Sequence, residues 1–176
     1  VEIKQITCDA PIPSTEVETS QVPRIDCNIA EVNRVCGGGL VLGASYLFSG
    51  EPGAGKTTLA TQIGANLADA GEKVVYVCGE EPASQVVGRL ERVGTKKENF
   101  LLWPDVSAES IENVILTTQP VLLVVDSIQT CFSEQIEKSP VGSDKQVKGS
   151  ADIIVKACQK TGTVCILICH VTKDNT

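Results

Sequence analysis

The 176-residue chain is long enough to form one domain with a hydrophobic core. Its content of 42% hydrophobic and 21% charged residues is typical of a globular protein. It has no apolar run of about 18 residues, the length that a membrane helix needs, and no recognisable signal peptide. The net charge of −7 gives no overall attraction to nucleic acid, so such binding would require a local basic surface.

Eight cysteines raise the question of disulfide bonds or a zinc site. No two of them form a C-x-x-C pair, and Cys78, Cys165 and Cys169 lie in apolar segments, where cysteine packs as a small hydrophobic residue. We therefore predict free thiols, a reducing compartment and a cytoplasmic location, without a structural metal.

The first 23 residues contain three prolines among serine, threonine and glutamate, which predicts an extended arm over residues 1–23. The domain proper is expected over residues 24–176. Asn28 is predicted to cap a short helix over residues 29–36, and three glycines then end that helix.

Residues 50–57 read G-E-P-G-A-G-K-T and match the pattern G-x-x-x-x-G-K-[ST] of a phosphate-binding P-loop. The surrounding sequence predicts a short buried strand over residues 46–48 and a helix over residues 58–70, which Gly71 ends. This strand–loop–helix context makes a mere glycine-rich turn a poor alternative.

Each residue type in the P-loop has a physical role. The glycines let backbone N–H groups approach a phosphate, and the helix N-terminus adds the positive end of its dipole. Lys56 is expected to reach the β- and γ-phosphates, and the hydroxyl of Thr57 is expected to bind Mg²⁺. The residues predicted to contact the nucleotide are Glu51, Pro52, Gly53, Ala54, Gly55, Lys56, Thr57 and Thr58.

The rest of the chain alternates apolar strand patterns with helix patterns. Strands are predicted over residues 73–78, 99–103, 121–126 and 164–168, and helices over residues 83–93, 107–117 and 145–160. Pro82 suits the first position of its helix and Ser107 suits an N-cap, whereas residues 131–144 read as a loop. The alternation predicts an α/β fold, with a mostly parallel sheet and helices on both faces.

Four polar residues follow predicted strands at their carboxyl ends, where open α/β sheets place their sites. Asp126 ends a run of five apolar residues and is expected to hold Mg²⁺. Glu80 is the first choice for the carboxylate that activates water, and Glu81 is the second. His170, the only histidine, could contact the γ-phosphate, although a structural role is nearly as well supported.

Lys138, Lys145 and Lys148 lie in or next to the long predicted loop, where they could touch a phosphate backbone. Glu134, Glu137 and Asp144 dilute this positive charge, so a solvated mixed-charge loop is the better interpretation from charge alone.

These motifs together resemble the bacterial RadA/Sms family, a RecA-like branch of the P-loop ATPases. The resemblance covers about residues 24–174 and includes V-C-G-E-E at 77–81, D-S-I-Q-T at 126–130 and H-V-T-K at 170–173. It implies a RecA-like ATP- and Mg²⁺-dependent ring, usually a hexamer, that acts on DNA in recombination and branch migration. It also implies that Glu80 is the catalytic carboxylate, that His170 senses the γ-phosphate and that the loop after Thr130 faces DNA.

The sequence departs from that family in ways that bear on assembly. A four-cysteine zinc ribbon, a lysine-arginine signature and a Lon-like domain are not in this sequence. The last strands of a RecA-type core are not in it either, so we expect the core to be truncated at its carboxyl end, which bears on ring assembly. Asn33 and Leu42 stand where the family usually has Asp and Pro, outside the nucleotide motifs. KaiC-type ATPases share the paired glutamates, and a nucleotide-gated assembly module that does not act on DNA remains the alternative function.

Overall fold

The computed structural model describes residues 13–16, 22–95, 98–136 and 139–170, and its centre is a five-stranded parallel sheet. Two short strands precede this sheet and pair antiparallel with each other: β1 (Arg24–Ile25) and β2 (Leu40–Val41). The sheet itself contains β3 (Ser45–Gly50), β4 (Val74–Cys78), β5 (Phe100–Trp103), β6 (Leu122–Asp126) and β7 (Val164–His170). Its strand order is β3-β7-β6-β4-β5, so β6 lies at the centre.

Helices cover both faces of the sheet, as the sequence predicts. They are α1 (Ala30–Val35), α2 (Lys56–Asp69), α3 (Ala83–Arg92), α4 (Ala108–Thr118) and α5 (Asp144–Thr161). One buried cluster joins α2 and α3 to one face, and a second joins α4 and α5 to the other. The predicted fold class, a RecA-like parallel α/β sheet, is therefore confirmed.

The inner strands are buried on both faces, which explains their continuous apolar sequences. Every residue of β4 and of β6 is buried. Alternate residues of β4 divide between the two faces: Tyr76 packs in the cluster with α2, whereas Val75 and Val77 pack in the cluster with α4 and α5. Tyr76 also stacks on Phe100 of β5, with ring centroids 6.0 Å apart.

The P-loop strand β3 is longer and less buried than predicted. It runs over Ser45–Gly50 with alternating exposed and half-buried residues, and the side chain of Leu47 is 63% exposed. Among the described residues β3 pairs only with β7, so it forms an edge of the sheet. The prediction of a buried strand was wrong because an apolar triplet does not reveal whether both sides of a strand are paired.

The start of α1 also differs from the prediction. Asn28 does not cap the helix: the N-cap is Ile29, which makes no side-chain capping bond. Asn28 instead has a φ of 55°, and its N–H donates to the side chain of Asp26. At α3 Pro82 is the N-cap and not the first helical residue, so the N-cap lies one residue later than that position implied. Ser107 and Gly71 act as expected, because Ser107 accepts a bond from Ser110 N–H and Gly71 follows the C-cap of α2 with a φ of 94°.

The loop before α5 is organised by one buried side chain. The amide of Gln146 accepts a hydrogen bond from the backbone N–H of Ser133, and it donates to the carbonyls of Ser133, Ile136 and Ser139. Lys145 and Lys148 are exposed on the first turns of α5 rather than in the loop. Glu137 and Lys138 lie outside the described residues, so the basic-loop hypothesis is untested at that point.

Most of the predicted arm over residues 1–23 lies outside the described residues, so its division from a core at 24–176 stays a prediction. The described part contains one 3₁₀ turn, Ser14–Glu16, which is exposed. Among the helices that the structure describes, none combines the length and apolar character needed to cross a bilayer.

The contact between α2 and β5 leads to a stability prediction. A Cβ added at Gly64 would lie 2.8 Å from a ring carbon of Phe100 and 3.3 Å from Val74. We therefore expect Gly64→Ala to lower the free energy of unfolding by roughly 1–3 kcal/mol, measured by urea denaturation. Gly88→Ala is the matched control, because Gly88 also lies within a helix but has nothing within 4 Å of an added Cβ, and it should be neutral or stabilising. Equal losses from both changes would contradict this packing.

Candidate functional site

The strand register brings four predicted site segments to the carboxyl edge of the sheet. Gly50 of β3 pairs with His170 of β7, and Cys78 of β4 pairs with Asp126 of β6. The P-loop follows β3 and Glu80 follows β4, so both segments begin at this edge. Because parallel strands all end at the same edge, residues up to 120 positions apart meet there.

The P-loop has the backbone that its glycines permit. Gly53 and Gly55 have φ angles of 81° and 86°, in the left-handed region, although an added Cβ would meet nothing within 4 Å at either position. Glycine is therefore required at these positions by the backbone conformation and not by a lack of space. Gly55 is the N-cap of α2, so the helix N-terminus opens directly onto the loop.

Lys56 is held in place by the P-loop itself. Its ammonium donates to the carbonyls of Gly50 at 2.8 Å and of Glu51 at 2.9 Å, and the residue is only 9% exposed. Since an ammonium has three donors, one remains for a phosphate oxygen. The other predicted contact residues are accessible: Thr57 is half-buried, and the exposed residues are Glu51, Pro52, Gly53, Ala54, Gly55 and Thr58.

Asp126 is a buried carboxylate with one oxygen bonded and the other without a partner. The residue is 3% exposed, and its Oδ2 accepts a 2.7 Å hydrogen bond from the hydroxyl of Tyr76. Its Oδ1 makes no hydrogen bond within the described residues. Its backbone carbonyl accepts from the N–H groups of Gly79 and Glu80, which ties the turn after β4 to the end of β6.

Glu80 lies between a hydroxyl group and an imidazole. Its Oε1 accepts a 2.5 Å hydrogen bond from Ser127 Oγ, and its Oε2 lies 3.1 Å from His170 Nε2. The side chain of Glu80 is 38% exposed and that of His170 is 26% exposed. Glu80, Asp126 and His170 each place one potential metal-ligand atom within 4.8 Å of the others. The structure thus groups three of the predicted polar residues.

Glu81 points to a different partner. It forms an ion pair with Arg89 of α3, and the two side chains are 19% and 16% exposed. A carboxylate that is paired with a guanidinium and largely buried is less available to activate water. The geometry therefore favours Glu80 over Glu81 for that role.

Three polar residues that contact this edge were given no individual role from the sequence: Tyr76, Ser127 and Gln129. The amide of Gln129 donates to the carbonyl of His170 and to Cys169 Sγ, both at 3.0 Å, and links the turn after β6 to the end of β7. Ser127 and Gln129 follow Asp126 directly, so their position after the predicted metal ligand was an available signal. Tyr76 carried no signal, because an aromatic residue within a strand is most often core.

The residues at this edge fit Mg²⁺ with a nucleotide. Mg²⁺ prefers oxygen ligands and usually keeps several waters, so one carboxylate and one hydroxyl suffice from the protein. The unpartnered Oδ1 of Asp126 is a buried acceptor whose desolvation a cation would offset. Thr57 follows the P-loop lysine Lys56 directly and is half-buried at the start of α2.

These features together define a P-loop ATPase domain on a RecA-type parallel sheet. They are a P-loop after an edge strand, a buried acid at the end of β6 and a carboxylate beyond β4. Residues 11–176 match the family described as AAA domain, and the chain belongs to that family.

The comparisons with known proteins also support the RadA-like resemblance. The chain is 39% identical to the DNA repair protein RadA of Halalkalibacterium halodurans, over 93% of this chain and 36% of that protein. It is 36% identical to the DNA repair protein RadA of Bacillus subtilis, over 96% of this chain and 36% of that protein. The chain is therefore RadA-like over nearly its whole length, but spans only about a third of these curated relatives.

A solved structure shares the fold. The crystal structure of a KaiC-like protein from Pyrococcus horikoshii OT3 matches with a TM-score of 0.66 and 21% identity, over 88% of this chain and 75% of that one. At that identity the likeness concerns the fold alone. The RadA-like interpretation is thus better supported than the KaiC-type alternative, because it rests on sequence identity of 36–39%, whereas the match to the KaiC-like protein is one of fold.

The thiol of Cys78 provides a test of this site without nucleotide. Burial raises its pKa to about 11, and the charges of Glu81 and Asp126 add to that increase. An ordinary thiol with a pKa of about 8.5 is roughly a quarter thiolate at pH 8, whereas a pKa of about 11 leaves on the order of 0.1%. We expect Cys78 to be alkylated by iodoacetamide at least ~100-fold more slowly in the native protein than in urea, with the native rate rising as pH approaches 11.

Mass spectrometry would measure that reaction site by site, with the half-buried Cys36 as an internal reference in the same sample. Native Cys78 reacting as fast as Cys36 at pH 8 would contradict the packing at the end of β4.

Proposed function

We propose that the chain binds Mg·ATP and hydrolyses ATP at the carboxyl edge of its sheet. The observation that carries this proposal is the grouping of Glu80, Asp126 and His170 beside the P-loop, with one oxygen of Asp126 unpartnered. A metal ligand, a carboxylate for water and an imidazole are the groups that phosphoryl transfer to water uses.

The roles follow from position and partners. Lys56 and the N–H groups of the P-loop hold the phosphates, and Thr57 with Asp126 holds the metal. Bound Mg²⁺ would neutralise charge on the β- and γ-phosphate oxygens. Glu80 orients the attacking water and accepts its proton, with Ser127 fixing one of its oxygens. His170 would sense the γ-phosphate, and its Nε2, 3.1 Å from the other oxygen of Glu80, supports that role.

Three variants separate binding from turnover. We expect Lys56→Ala to abolish binding of Mg·ATP, since the loop loses its only cation directed at phosphate. Glu80→Gln should keep ATP binding and lower the turnover rate by at least ~100-fold, because an amide cannot accept the proton of the attacking water. Binding would be measured with a fluorescent ATP analogue, and turnover by phosphate release.

Glu81→Gln is the matched control, because it makes the same chemical change next in the chain on a carboxylate that is paired with Arg89. It should retain most of the turnover. If Glu81→Gln lost turnover and Glu80→Gln kept it, the roles of the two glutamates would be reversed. Tight Mg·ATP binding without turnover in the unmodified chain would instead indicate that the site requires residues beyond this sequence.

We further propose that the chain serves as the motor core of a DNA recombination and repair protein that works as a homo-oligomer, with a hexameric ring as the expected form. Its RadA-like sequence supports this proposal, since the relatives are named DNA repair proteins. DNA would contact the loop between Thr130 and α5, which Gln146 anchors at its base, and the exposed Lys145 and Lys148 lie at the end of that loop. The free cysteines of the described residues support a cytoplasmic location.

The DNA assignment has its own test. We expect single-stranded DNA to increase the ATP turnover of the longer protein, because closure of a ring on DNA completes sites at subunit interfaces. Reversing charge with Lys145→Glu and Lys148→Glu should weaken that stimulation and its DNA affinity while leaving the basal turnover unchanged. Lys156→Glu is the control, as it reverses an exposed lysine farther along the same helix. Turnover without any response to DNA would favour the KaiC-type alternative, in which nucleotide controls assembly.

A further inference from the structure

The hydroxyl of Tyr76 is the one side-chain donor that the described residues provide to the carboxylate of Asp126. Tyr76 lies in the middle of β4 and is fully buried, in a cluster that is otherwise hydrophobic. Such a position would accommodate phenylalanine, whereas a buried hydroxyl must find a partner. The hydrogen bond to Asp126, 50 residues away in sequence, provides that partner at 2.7 Å.

The sheet register explains how this contact arises. Tyr76 is directly opposite Val124 of the neighbouring strand β6, and Asp126 is two residues farther on the same face. The phenol therefore extends diagonally along that face toward the carboxyl edge. Its ring is stacked on Phe100 of β5, which limits how far the hydroxyl can move.

The other proposed metal ligand is also held from behind by a buried hydroxyl. Thr61 of α2 is fully buried, and its hydroxyl donates to the backbone carbonyl of Thr57 at 2.8 Å. A tyrosine hydroxyl is protonated at neutral pH, so Tyr76 acts as the donor to Asp126. Tyr76 thus holds the carboxylate of Asp126, and Thr61 holds the backbone of Thr57.

We propose that Tyr76 is a positioning residue for the metal site: its hydroxyl holds Oδ2 of Asp126 and thereby directs Oδ1 toward the cation that Asp126 and Thr57 bind. Without the hydroxyl the carboxylate would be free to rotate. Binding of the cation would then have to fix its orientation, which costs conformational entropy. This inference rests on the proposed nucleotide function and adds a determinant of metal affinity to it. Groups behind a metal ligand contribute about 10- to 100-fold to metal affinity in well-studied sites.

The test compares two tyrosine variants of this chain, each in complex with ADP. Tyr76→Phe keeps the ring and its stack on Phe100 and removes only the hydroxyl. Tyr46→Phe is the matched control, because the hydroxyl of Tyr46 accepts a hydrogen bond from Val41 N–H, away from Asp126. Electron paramagnetic resonance would measure Mn²⁺ binding to each complex, and urea denaturation would verify that each variant is folded.

We expect Tyr76→Phe to weaken Mn²⁺ binding about tenfold while ADP binding without metal stays unchanged. Tyr46→Phe should bind Mn²⁺ like the unmodified chain. Unchanged Mn²⁺ affinity in folded Tyr76→Phe would overturn the inference. If the unmodified chain bound ADP without any metal dependence, the proposed function would fail, and the inference would fail with it.

A second measurement does not depend on Tyr76→Phe being stable. The chain has only two tyrosines, so the Tyr46→Phe variant keeps Tyr76 as its single tyrosine. With ¹³C at the ring carbon that bears the hydroxyl, that variant gives one resonance. Adding Mg²⁺ to its ADP complex should shift this resonance, because Asp126 then shares its charge with the cation. A resonance that does not move while Mg²⁺ binds would overturn the inference.

Discussion

Burial of the Asp126 carboxylate at the end of the central strand is the constraint on which the carboxyl edge depends. A carboxylate that is 3% exposed is costly to desolvate unless its oxygens are bonded. Tyr76 bonds one oxygen, and the other is left for a ligand. If the first bond were lost, an unpaired buried oxygen would cost roughly 1–3 kcal/mol, a large share of the stability of a domain this size.

Much of the edge is organised around the same residue. The carbonyl of Asp126 accepts from Gly79 and Glu80, so the turn that carries the proposed catalytic carboxylate is tied to β6. Little space remains in that turn, since a Cβ added at Gly79 would lie 2.1 Å from Thr130 Oγ1 and 3.0 Å from the carbonyl of Asp126. The position of Glu80 is thus set by backbone contacts to the strand that carries Asp126 as well as by its own side-chain partners.

The two glutamates after β4 illustrate how neighbours in sequence acquire different environments. Glu80 lies toward Ser127 and His170 and is the more exposed, whereas Glu81 is paired with Arg89 in a largely buried position. Because successive side chains after a strand point in different directions, Glu80 lies toward Ser127 and His170 while Glu81 pairs with α3. The ion pair of Glu81 with Arg89 therefore ties the turn after β4 to α3.

Local features of the site were predictable, and its long-range contacts were not. The P-loop backbone depends on glycines within one short segment, so its pattern alone pointed to Lys56 and Thr57, and the apolar run before Asp126 placed that acid at a strand end. The bond between Tyr76 and Asp126 joins residues 50 positions apart, and that between Ser127 and Glu80 joins residues 47 apart. Such pairs depend on which strands are neighbours, and the hydrophobic periodicity of a sequence does not predict strand order.

The sequence by itself determined the type of each main element, the parallel α/β class and the positions of the phosphate loop and the acids. These follow from hydrophobic period, glycine placement and the ends of apolar runs, which are properties of short segments. The tertiary structure decided that β3 lies at an edge, that Asn28 does not cap α1, and that Tyr76 rather than another donor holds Asp126. The first and the last of these depend on the strand order β3-β7-β6-β4-β5, because only neighbouring strands can bring distant side chains within hydrogen-bonding distance. Asn28 instead has a φ of 55° and bonds to Asp26 in its own turn.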